Sequence, residues 1–238
     1  MNTALIFAGG TGIRMNTRAK PKQFLELHGK PIIIYTLEHF DIHPEIDNIV
    51  VVCLEGWMAG LKHFLRQYAV EKVSHIVPGG DGGDISIFNG LRVMSDTCHP
   101  DDIVLIHDGV RPLINAELIS ANIAKVRESG NAITVDNVTE SVVRLDKGGW
   151  VTDVPTRSEM FVAKAPQSFK LGTIWELYRR AQIDGHRTVD SAHLCSIYGV
   201  KLHTVKSTPN NMKITTPADY YIFRALFEAM ENEQILGI

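Results

Sequence analysis

Short apolar segments alternate with amphipathic segments along the first half of the chain. The apolar segments are rich in β-branched residues and are bounded by turn-forming residues, which is typical of strands buried on both faces of a parallel sheet. They occupy residues 4–8, 49–53, 75–77, 103–107 and 132–135. The pattern predicts five strands separated by longer connections.

The amphipathic segments between these strands predict helices. They occupy residues 31–40, 58–68, 84–94 and 115–127, and Asn115 is a suitable N-cap for the last of them. Alternating strands and helices predict a Rossmann-like α/β fold, with a mostly parallel sheet, flanking helices and right-handed crossovers. We expect one domain over residues 1–238, completed by helices at 171–181, 190–197 and 218–230 and a short strand at 200–205.

Residues 140–157 interrupt this alternation. Two short strand-like segments, 141–145 and 150–155, flank the turn Asp146-Lys147-Gly148-Gly149 and predict an inserted β-hairpin. An isolated two-stranded hairpin is marginally stable in water. We therefore expect this arm to pack on its own domain or on a second subunit, and we favour a homodimer.

The amino-acid composition excludes few classes of protein. The 238 residues are 45% hydrophobic and 21% charged, with a formal net charge of -3, as in an ordinary globular protein. That charge argues against non-specific nucleic-acid binding, which usually shows a strongly basic balance. Three widely spaced cysteines make a disulfide framework unlikely. Neither a signal sequence nor a membrane span is evident, so we expect a cytoplasmic protein without nucleic-acid or membrane partners.

The first predicted strand runs into a glycine-rich loop followed by cationic side chains. Ala8, Gly9, Gly10, Thr11 and Gly12 are followed by Arg14 and Lys22. Clustered glycines let backbone N–H groups approach a phosphate chain closely. The spacing matches neither the Walker A motif nor a dinucleotide fingerprint. The loop therefore predicts a nucleotide polyphosphate site of another kind, the alternative being a purely structural turn.

Two more segments contribute polar candidates. Asp108 follows the strand at 103–107, and open α/β sheets place ligands at the carboxyl ends of their strands. Its carboxylate can hold Mg²⁺ on phosphate oxygens or can be an ordinary turn aspartate. Arg111 is as consistent with a structural ion pair as with a ligand contact. The glycine-rich segment at 79–86 supplies Gly80, Asp81 and Ser86, or is a plain surface loop.

Several motifs, in the same order, resemble those of the sugar-alcohol-phosphate cytidylyltransferases. They cover residues 5–15, 21–27, 79–81, 107–112, 165–169 and 211–215. Two branches of this family are similar to the chain: methylerythritol phosphate cytidylyltransferases and ribitol-5-phosphate cytidylyltransferases. Residues 24–27 and 213–217 look more like the ribitol branch.

The resemblance implies roles for individual residues. Arg14, Lys22 and Lys213 would meet the reacting phosphates. Asp108 would lie in the active site, where it would bind the acceptor, Mg²⁺ or both. Arg157, assisted by Ser141, would reach the acceptor's phosphate from the partner subunit. The residues implied to bind CTP are Ala8, Gly9, Gly10, Thr11, Gly12, Gly80, Asp81 and Ser86. Gly83 departs from the family, which commonly has a basic residue there.

The expected reaction is transfer of CMP from CTP to a polyol phosphate, with release of pyrophosphate. D-ribitol 5-phosphate is the favoured acceptor and 2-C-methyl-D-erythritol 4-phosphate is the alternative. A nucleotidyltransferase acting on a hexose phosphate with UTP or dTTP would predict a longer chain. A nucleotide-binding regulator without turnover is the alternative from another class, suggested by Gly83.

Overall fold

A computed structural model describes residues 1–10 and 20–236 of the chain. Its strands, numbered β1 to β11, are Asn2–Ala8, Glu26–Leu27, Lys30–Pro31, Asn48–Cys53, Val73–Pro78, Ile103–Asp108, Asn131–Asn137, Arg144–Leu145, Val151–Asp153, Phe161–Lys170 and Thr204–Lys206. Its α-helices, α1 to α7, are Ile32–Asp41, Met58–Gln67, Gly83–Thr97, Ala116–Ser129, Leu171–Asp184, Ser191–Ile197 and Pro217–Leu236. All five strands predicted from the first half of the sequence are present.

Seven of these strands form one mixed sheet in the order β11-β7-β10-β6-β1-β4-β5. The pairs β1–β4, β1–β6, β4–β5 and β11–β7 are parallel, whereas β10 runs antiparallel to both β6 and β7. The predicted Rossmann-like, mostly parallel fold is therefore confirmed. The central position of β1 and β6 brings their carboxyl ends side by side, with Phe7 opposite Asp108.

Strand β10 was missing from the sequence prediction. It contains Pro166, and a proline inside a segment argues against a central strand because it cannot donate to the ladder. The pairing of β10 with β7 shifts register between Ala163 and Gln167, so Pro166 falls in the irregular stretch. The predicted strand at 200–205 is also shorter than expected, since pairing begins at Thr204.

Helices cover both faces of the sheet, because successive side chains of a strand point to opposite faces. Ile6 packs in a buried cluster with α1, α2 and α4, including Leu37 and Ile123. The preceding Leu5 packs in a second cluster with α3, α5 and α6, including Leu91. Helix α4 begins as predicted, with the Asn115 side chain accepting a hydrogen bond from the backbone N–H of Leu118. These two layers fix the strand ends.

The hairpin is confirmed, but its paired strands are shorter than predicted. Only β8 and β9 pair, and Asp146 stabilises the turn by accepting hydrogen bonds from the backbone N–H groups of Gly148 and Trp150. Its side chains are largely exposed, including Trp150 at 77%. Across residues 1–10 and 20–236, the helices are all too short or too polar to span a bilayer.

Candidate active site

A cleft lies at the carboxyl ends of β1 and β6, where this sheet architecture usually binds ligands. It consists of two adjoining cavities of about 230 Å³ and about 210 Å³. Both are lined by Phe7, Gly83, Asp108 and Lys213. A ligand in one cavity therefore meets a ligand in the other beside the Asp108 and Lys213 side chains.

The smaller cavity begins where β1 ends. Ala8, Gly9 and Gly10 line it together with Lys22 and Gln23. The buried Gln23 amide donates hydrogen bonds to the carbonyl oxygens of Ala8 at 2.6 Å and Gly10 at 3.2 Å. Because these two carbonyls are held by Gln23, the start of the glycine loop is fixed against the 21–24 turn. We call this half the glycine-loop cavity.

Gly9 is required by close packing at the base of this cavity. A Cβ atom there would lie 2.7 Å from the Ser86 hydroxyl and 3.2 Å from the Gly79 Cα, so no side chain fits without displacing them. The Ser86 hydroxyl accepts a hydrogen bond from the Gly80 N–H at 3.2 Å. The first turn of α3 thereby joins the 79–83 loop to the end of β1, and its N-terminal end faces the cleft at Gly83.

Asp108 is the electrostatic centre of the cleft. Its side chain is 7% exposed, with Oδ2 at 2.7 Å from Arg111 Nε and Oδ1 at 2.5 Å from Lys213 Nζ. Burial alone would raise the pKa of this carboxyl, but the Lys213 ammonium and then the Arg111 guanidinium hold it well below its usual value. The carboxylate is therefore ionised at neutral pH and holds both cations in place.

Hydrogen bonds attach the loop that carries Lys213 to the segment after β6. Arg111 Nη1 donates to the Asn211 carbonyl at 3.2 Å, and the Ile214 N–H donates to the Val110 carbonyl at 2.9 Å. Lys22 Nζ donates to the Ile214 carbonyl at 3.0 Å. Lys22 and Lys213, which are 191 positions apart in the chain, thus converge on one short loop at the cleft.

The larger cavity is lined by side chains that form hydrogen bonds, so we call it the polar cavity. Lys164 pairs with Asp136 at 2.6 Å. Gln167 donates to the Asp190 carboxylate at 3.1 Å and accepts from the Ala192 N–H at 2.9 Å. Lys164, Gln167 and Asp190 line the cavity along with Arg111. The register shift of β10 lies between Ala163 and Gln167, which both line this cavity. Such irregularities commonly redirect side chains beside active sites.

Among the described residues of the cleft, Asp108 is the carboxylate predicted as a metal ligand. Asp108 is the carboxylate shared by both cavities, and each of its oxygens already accepts from a cationic side chain. In the described ranges, no cluster of three or more His, Cys, Asp or Glu side chains is arranged to hold a metal ion. Asp108 as a Mg²⁺ ligand stays a prediction that this geometry does not support.

The structure brings half of the predicted site residues together in one cavity. The glycine-loop cavity is lined by Ala8, Gly9, Gly10, Lys22, Ser86, Asp108 and Lys213. Gly80 adjoins it through Ser86, whereas the exposed Asp81 is not among its lining residues. Thr11, Gly12 and Arg14 lie outside the described residues.

Ser141 and Arg157 lie elsewhere, in the exposed arm. Arg157 borders an open depression with Asn137 and Met160 and is not among the residues that line either cavity of the cleft. One chain on its own therefore does not bring Arg157 to its own cleft. Asp190 caps α6 by accepting a hydrogen bond from the His193 N–H at 2.8 Å.

Sequence reasoning missed several residues that build the cleft. Gln23 follows Lys22 directly, so its position beside the glycine loop could have been inferred from that motif. Lys164 and Gln167 lie on β10, which was not predicted, and therefore had no assigned place. Arg187, which contacts the start of α3, carries no motif at all.

Comparison with known proteins identifies the family. The family model described as 2-C-methyl-D-erythritol 4-phosphate cytidylyltransferase matches residues 2–229. The chain belongs to this family. It is a cytidylyltransferase, as the resemblance of its motifs had implied.

Relatives named for each of the two acceptors are similar to this chain over nearly its whole length. This cytidylyltransferase is 46% identical to a ribitol-5-phosphate cytidylyltransferase of Streptococcus agalactiae, and 47% identical to one of Vibrio parahaemolyticus, with complete coverage of both chains in each case. It is 33% identical to a 2-C-methyl-D-erythritol 4-phosphate cytidylyltransferase of Clostridium botulinum, over 96% of this chain and 98% of the relative.

A solved structure supports the same assignment of fold. The 4-diphosphocytidyl-2C-methyl-D-erythritol synthase of Anaerococcus prevotii superposes with a TM-score of 0.83 at 26% identity, covering 95% of this chain and 96% of that one. The cytidylyltransferase fold therefore extends over nearly all of the chain.

Proposed function

We propose that this cytidylyltransferase transfers CMP from CTP to D-ribitol 5-phosphate, giving CDP-ribitol and pyrophosphate. The observation that carries the proposal is the shared wall of the two cavities, where Asp108 and Lys213 face both. CTP would occupy the glycine-loop cavity, and the polyol phosphate would occupy the polar cavity. The phosphates of the two substrates then meet beside Lys213.

The reaction needs no general base, because a phosphate monoester is already an anion at neutral pH. One of its oxygens attacks the α-phosphorus of CTP in line, a new P–O bond forms, and the bond to the bridging oxygen of pyrophosphate breaks. Catalysis then depends on position and on positive charge facing the reacting phosphates. Lys22 and Lys213 provide that charge within the described residues, and Arg14 is the further cation predicted from the sequence.

Asp108 acts in this scheme by holding its neighbours. Its low pKa keeps it negative, so its ion pairs hold the Lys213 and Arg111 side chains in place before the substrates arrive. Fixed groups need little reorganisation during the reaction, which lowers the barrier. Backbone N–H groups of Gly9 and Gly10 and the N-terminal end of α3 add further positive potential toward the triphosphate.

The choice of ribitol 5-phosphate rests on two kinds of support. The relatives at 46% and 47% identity bear that acceptor in their names, whereas the relative named for the methylerythritol compound is 33% identical. Ribitol 5-phosphate also has one more hydroxyl group than the methylerythritol compound and no methyl branch. The polar cavity offers Lys164, Gln167, Asp190 and Ser191 as partners for such hydroxyls.

A crossed assay tests the proposal directly. Pyrophosphate release is measured with CTP, UTP, ATP and GTP against ribitol 5-phosphate and 2-C-methyl-D-erythritol 4-phosphate, and the product is identified by mass spectrometry. We expect CTP with ribitol 5-phosphate to have a kcat/KM at least about tenfold above any other pair, a difference of about 1.4 kcal/mol. Preference for the methylerythritol compound would refute the acceptor, and absence of turnover with every pair would favour the regulator hypothesis.

We propose that Mg²⁺ enters with the nucleotide and not as a resident ion. Mg²⁺ is usually held by substrate phosphates and waters with only one or two carboxylates. In the cleft, both oxygens of the Asp108 carboxylate are already paired with Lys213 and Arg111. The phosphate oxygens of CTP are therefore better ligands for Mg²⁺ than Asp108.

We further propose that the arm makes this enzyme a homodimer. The arm exposes Leu145, Trp150, Val151 and Val154, each at 55% or more, and apolar groups together in water are unfavourable. A two-fold related copy offers a reciprocal packing surface. Trp150→Ser should lower the mass found by sedimentation toward that of one chain. Ile183→Ser, at a site 72% exposed on α5, is the matched control and should leave the mass unchanged.

We propose a cytoplasmic location on the basis of the cysteines. Cys53 and Cys195 are buried free thiols, and burial raises the pKa of each to about 12. Structural cysteines that stay reduced suit a reducing compartment. Cell fractionation tests this, and recovery of the protein with secreted material would refute it.

A further inference from the structure

Arg187 joins two parts of the cleft that are far apart in sequence. It lies between α5 and α6 and forms a two-pronged ion pair with Asp84, in the first turn of α3. The Nε–Oδ2 distance is 2.5 Å and the Nη2–Oδ1 distance is 2.9 Å. A guanidinium that faces a carboxylate in this way fixes orientation as well as distance.

The Asp84 end of this pair is buried. The Asp84 side chain is 7% exposed, whereas that of Arg187 is 60% exposed. Burial raises the pKa of Asp84, but the hydrogen bond from Arg187 and the backbone N–H groups of Ile85 and Thr188 outweigh it and lower the pKa. Asp84 therefore binds both the side chain of Arg187 and the backbone of the next residue, so the segment is held at two points.

Gly82 makes room for the pair. A Cβ atom at this position would lie 2.6 Å from Asp84 Oδ1 and 2.7 Å from Arg187 Nη2, closer than real Cβ contacts allow. Its φ of 176° is extended backbone that any residue can adopt, so glycine matters here for space and not for backbone conformation. A larger residue would have to displace the ends of the Asp84 and Arg187 side chains from this arrangement.

The residues on each side of the pair line the polar cavity. Gly83 precedes Asp84, and Val189, Asp190 and Ser191 follow Arg187 closely; all four line the cavity. The far end of this segment is fixed by the Gln167–Asp190 hydrogen bond at 3.1 Å. The Asp84–Arg187 pair is the matching attachment at the near end, which otherwise follows the left-handed Gly185 that ends α5.

We propose that Arg187 is a positioning residue for the acceptor: it holds residues 187–191 against α3 and so shapes the wall of the polar cavity. The inference rests on the proposed function, in which the polyol phosphate occupies that cavity. Without the pair, the segment has to be ordered when the acceptor binds, and ordering backbone costs free energy. The loss should fall mainly on acceptor binding, because Val189, Asp190 and Ser191 line the polar cavity and not the glycine-loop cavity.

The test compares Arg187→Ala with a matched control, Arg179→Ala. Arg179 also forms a two-pronged pair, with Glu176 on the exposed face of α5, and lines neither cavity. We expect Arg187→Ala to raise the KM for ribitol 5-phosphate about tenfold, while kcat and the KM for CTP change less than about threefold. Arg179→Ala should leave all three unchanged, and Arg187→Lys should recover part of the acceptor affinity.

Two further measurements separate positioning from a purely structural role. Hydrogen exchange of the amides in 186–191 should be faster in Arg187→Ala and unchanged in Arg179→Ala. Calorimetry should show weaker binding of ribitol 5-phosphate by the same factor as the KM. A lower melting temperature with an unchanged acceptor KM, or an increase confined to the KM for CTP, would overturn the proposal. Wild-type enzyme without turnover would contradict the proposed function instead, and the calorimetric comparison would then decide the role of Arg187.

Discussion

The cleft and the arm contrast in how far one chain completes them. In the cleft, Asp108 is buried and both of its oxygens are paired within the chain. In the arm, Trp150 is 77% exposed, and the Arg157 guanidinium donates a long hydrogen bond of 3.5 Å to the carbonyl of Thr139. The first region is organised before any ligand arrives. The second exposes apolar and cationic groups, which would gain partners in the proposed homodimer.

The contrast follows from topology. Strands β1 and β6 lie at the centre of the sheet and are buried on both faces, so their ends are fixed by the whole core. Strands β8 and β9 pair only with each other, and a two-stranded hairpin has little stability of its own. Charges at the strand ends are therefore held in place by the core, whereas the hairpin strands lie outside the seven-stranded sheet and lack that support.

The largest expected effect comes from removing the charge at the shared wall. Lys213→Ala should lower kcat about a hundredfold or more, because one group that stabilises the transition state is worth on the order of a hundredfold to a thousandfold. Lys22→Ala should have an effect of the same order. Lys201→Ala, an exposed lysine outside both cavities, is the control. Near-normal turnover of Lys213→Ala would show that the cleft does not act as proposed.

The next effect tests whether the arm completes a neighbouring cleft. Arg157→Ala and Lys22→Ala chains should each be nearly inactive as pure dimers. A mixed dimer combines the intact Lys22 of one chain with the intact Arg157 of the other at one of its two sites. Each mixed dimer formed by subunit exchange should therefore have one working site in two.

Demonstrated mixed dimers without activity would refute this shared site. So would a wild-type protein that sediments as one chain and is fully active. Either result would assign the arm to its own subunit.

The sequence predicted the fold well where local pattern and tertiary position agree. Strands buried on both faces are continuous apolar runs, so β1, β4 and β6 could be recognised directly. Strand β10 could not, because Pro166 and Lys164 break its pattern and the register shift that accommodates them is a tertiary feature. The predicted strands of the hairpin were too long, because the pattern of side chains does not show where the pairing of two strands ends.

The candidate site was predicted only in part, for a related reason. Motifs at strand ends, such as Asp108 and the glycine loop, are local and could be placed from topology. The Asp84–Arg187 pair spans 103 positions, and nothing in the spacing of either residue indicates the other. The Gln167–Asp190 contact likewise depends on β10. Pairs of this kind become visible only once the chain is folded.

A smaller effect on turnover is expected from removing the charge of Asp108. Asp108→Asn keeps the shape but removes the charge that holds Lys213 and Arg111, so turnover should fall about tenfold to a hundredfold. If Mg²⁺ is bound by the nucleotide, the Mg²⁺ concentration for half-maximal activity should change less than about threefold. A large rise in that concentration would instead support Asp108 as a metal ligand. Full activity of the wild-type enzyme in excess EDTA would refute any role for the metal.

The last prediction concerns the stability of the fold at low pH and has little bearing on turnover. It depends on the buried histidine next to Asp108. His107 is fully buried behind Asp108, and burial lowers its pKa to about 3, although the Asp108 carboxylate opposes the shift. Its Nε2 lies 3.3 Å from the Arg111 carbonyl, which can only accept, so this nitrogen carries the proton. The ring is therefore neutral in the folded protein at every pH used for assays.

The sign of the pH dependence follows from this depressed pKa. Between about pH 6.5, the ordinary value for histidine, and a pH of about 3, the unfolded chain binds a proton that the folded chain does not. The free energy of unfolding should therefore fall as the pH is lowered through this window, by up to about 1.4 kcal/mol per pH unit from this one group. Urea unfolding between pH 6.5 and 4 should show a shallower dependence in His107→Gln than in the wild type. The matched variant at an exposed position, His63→Gln, should keep the wild-type slope, and equal slopes in all three proteins would contradict the assignment.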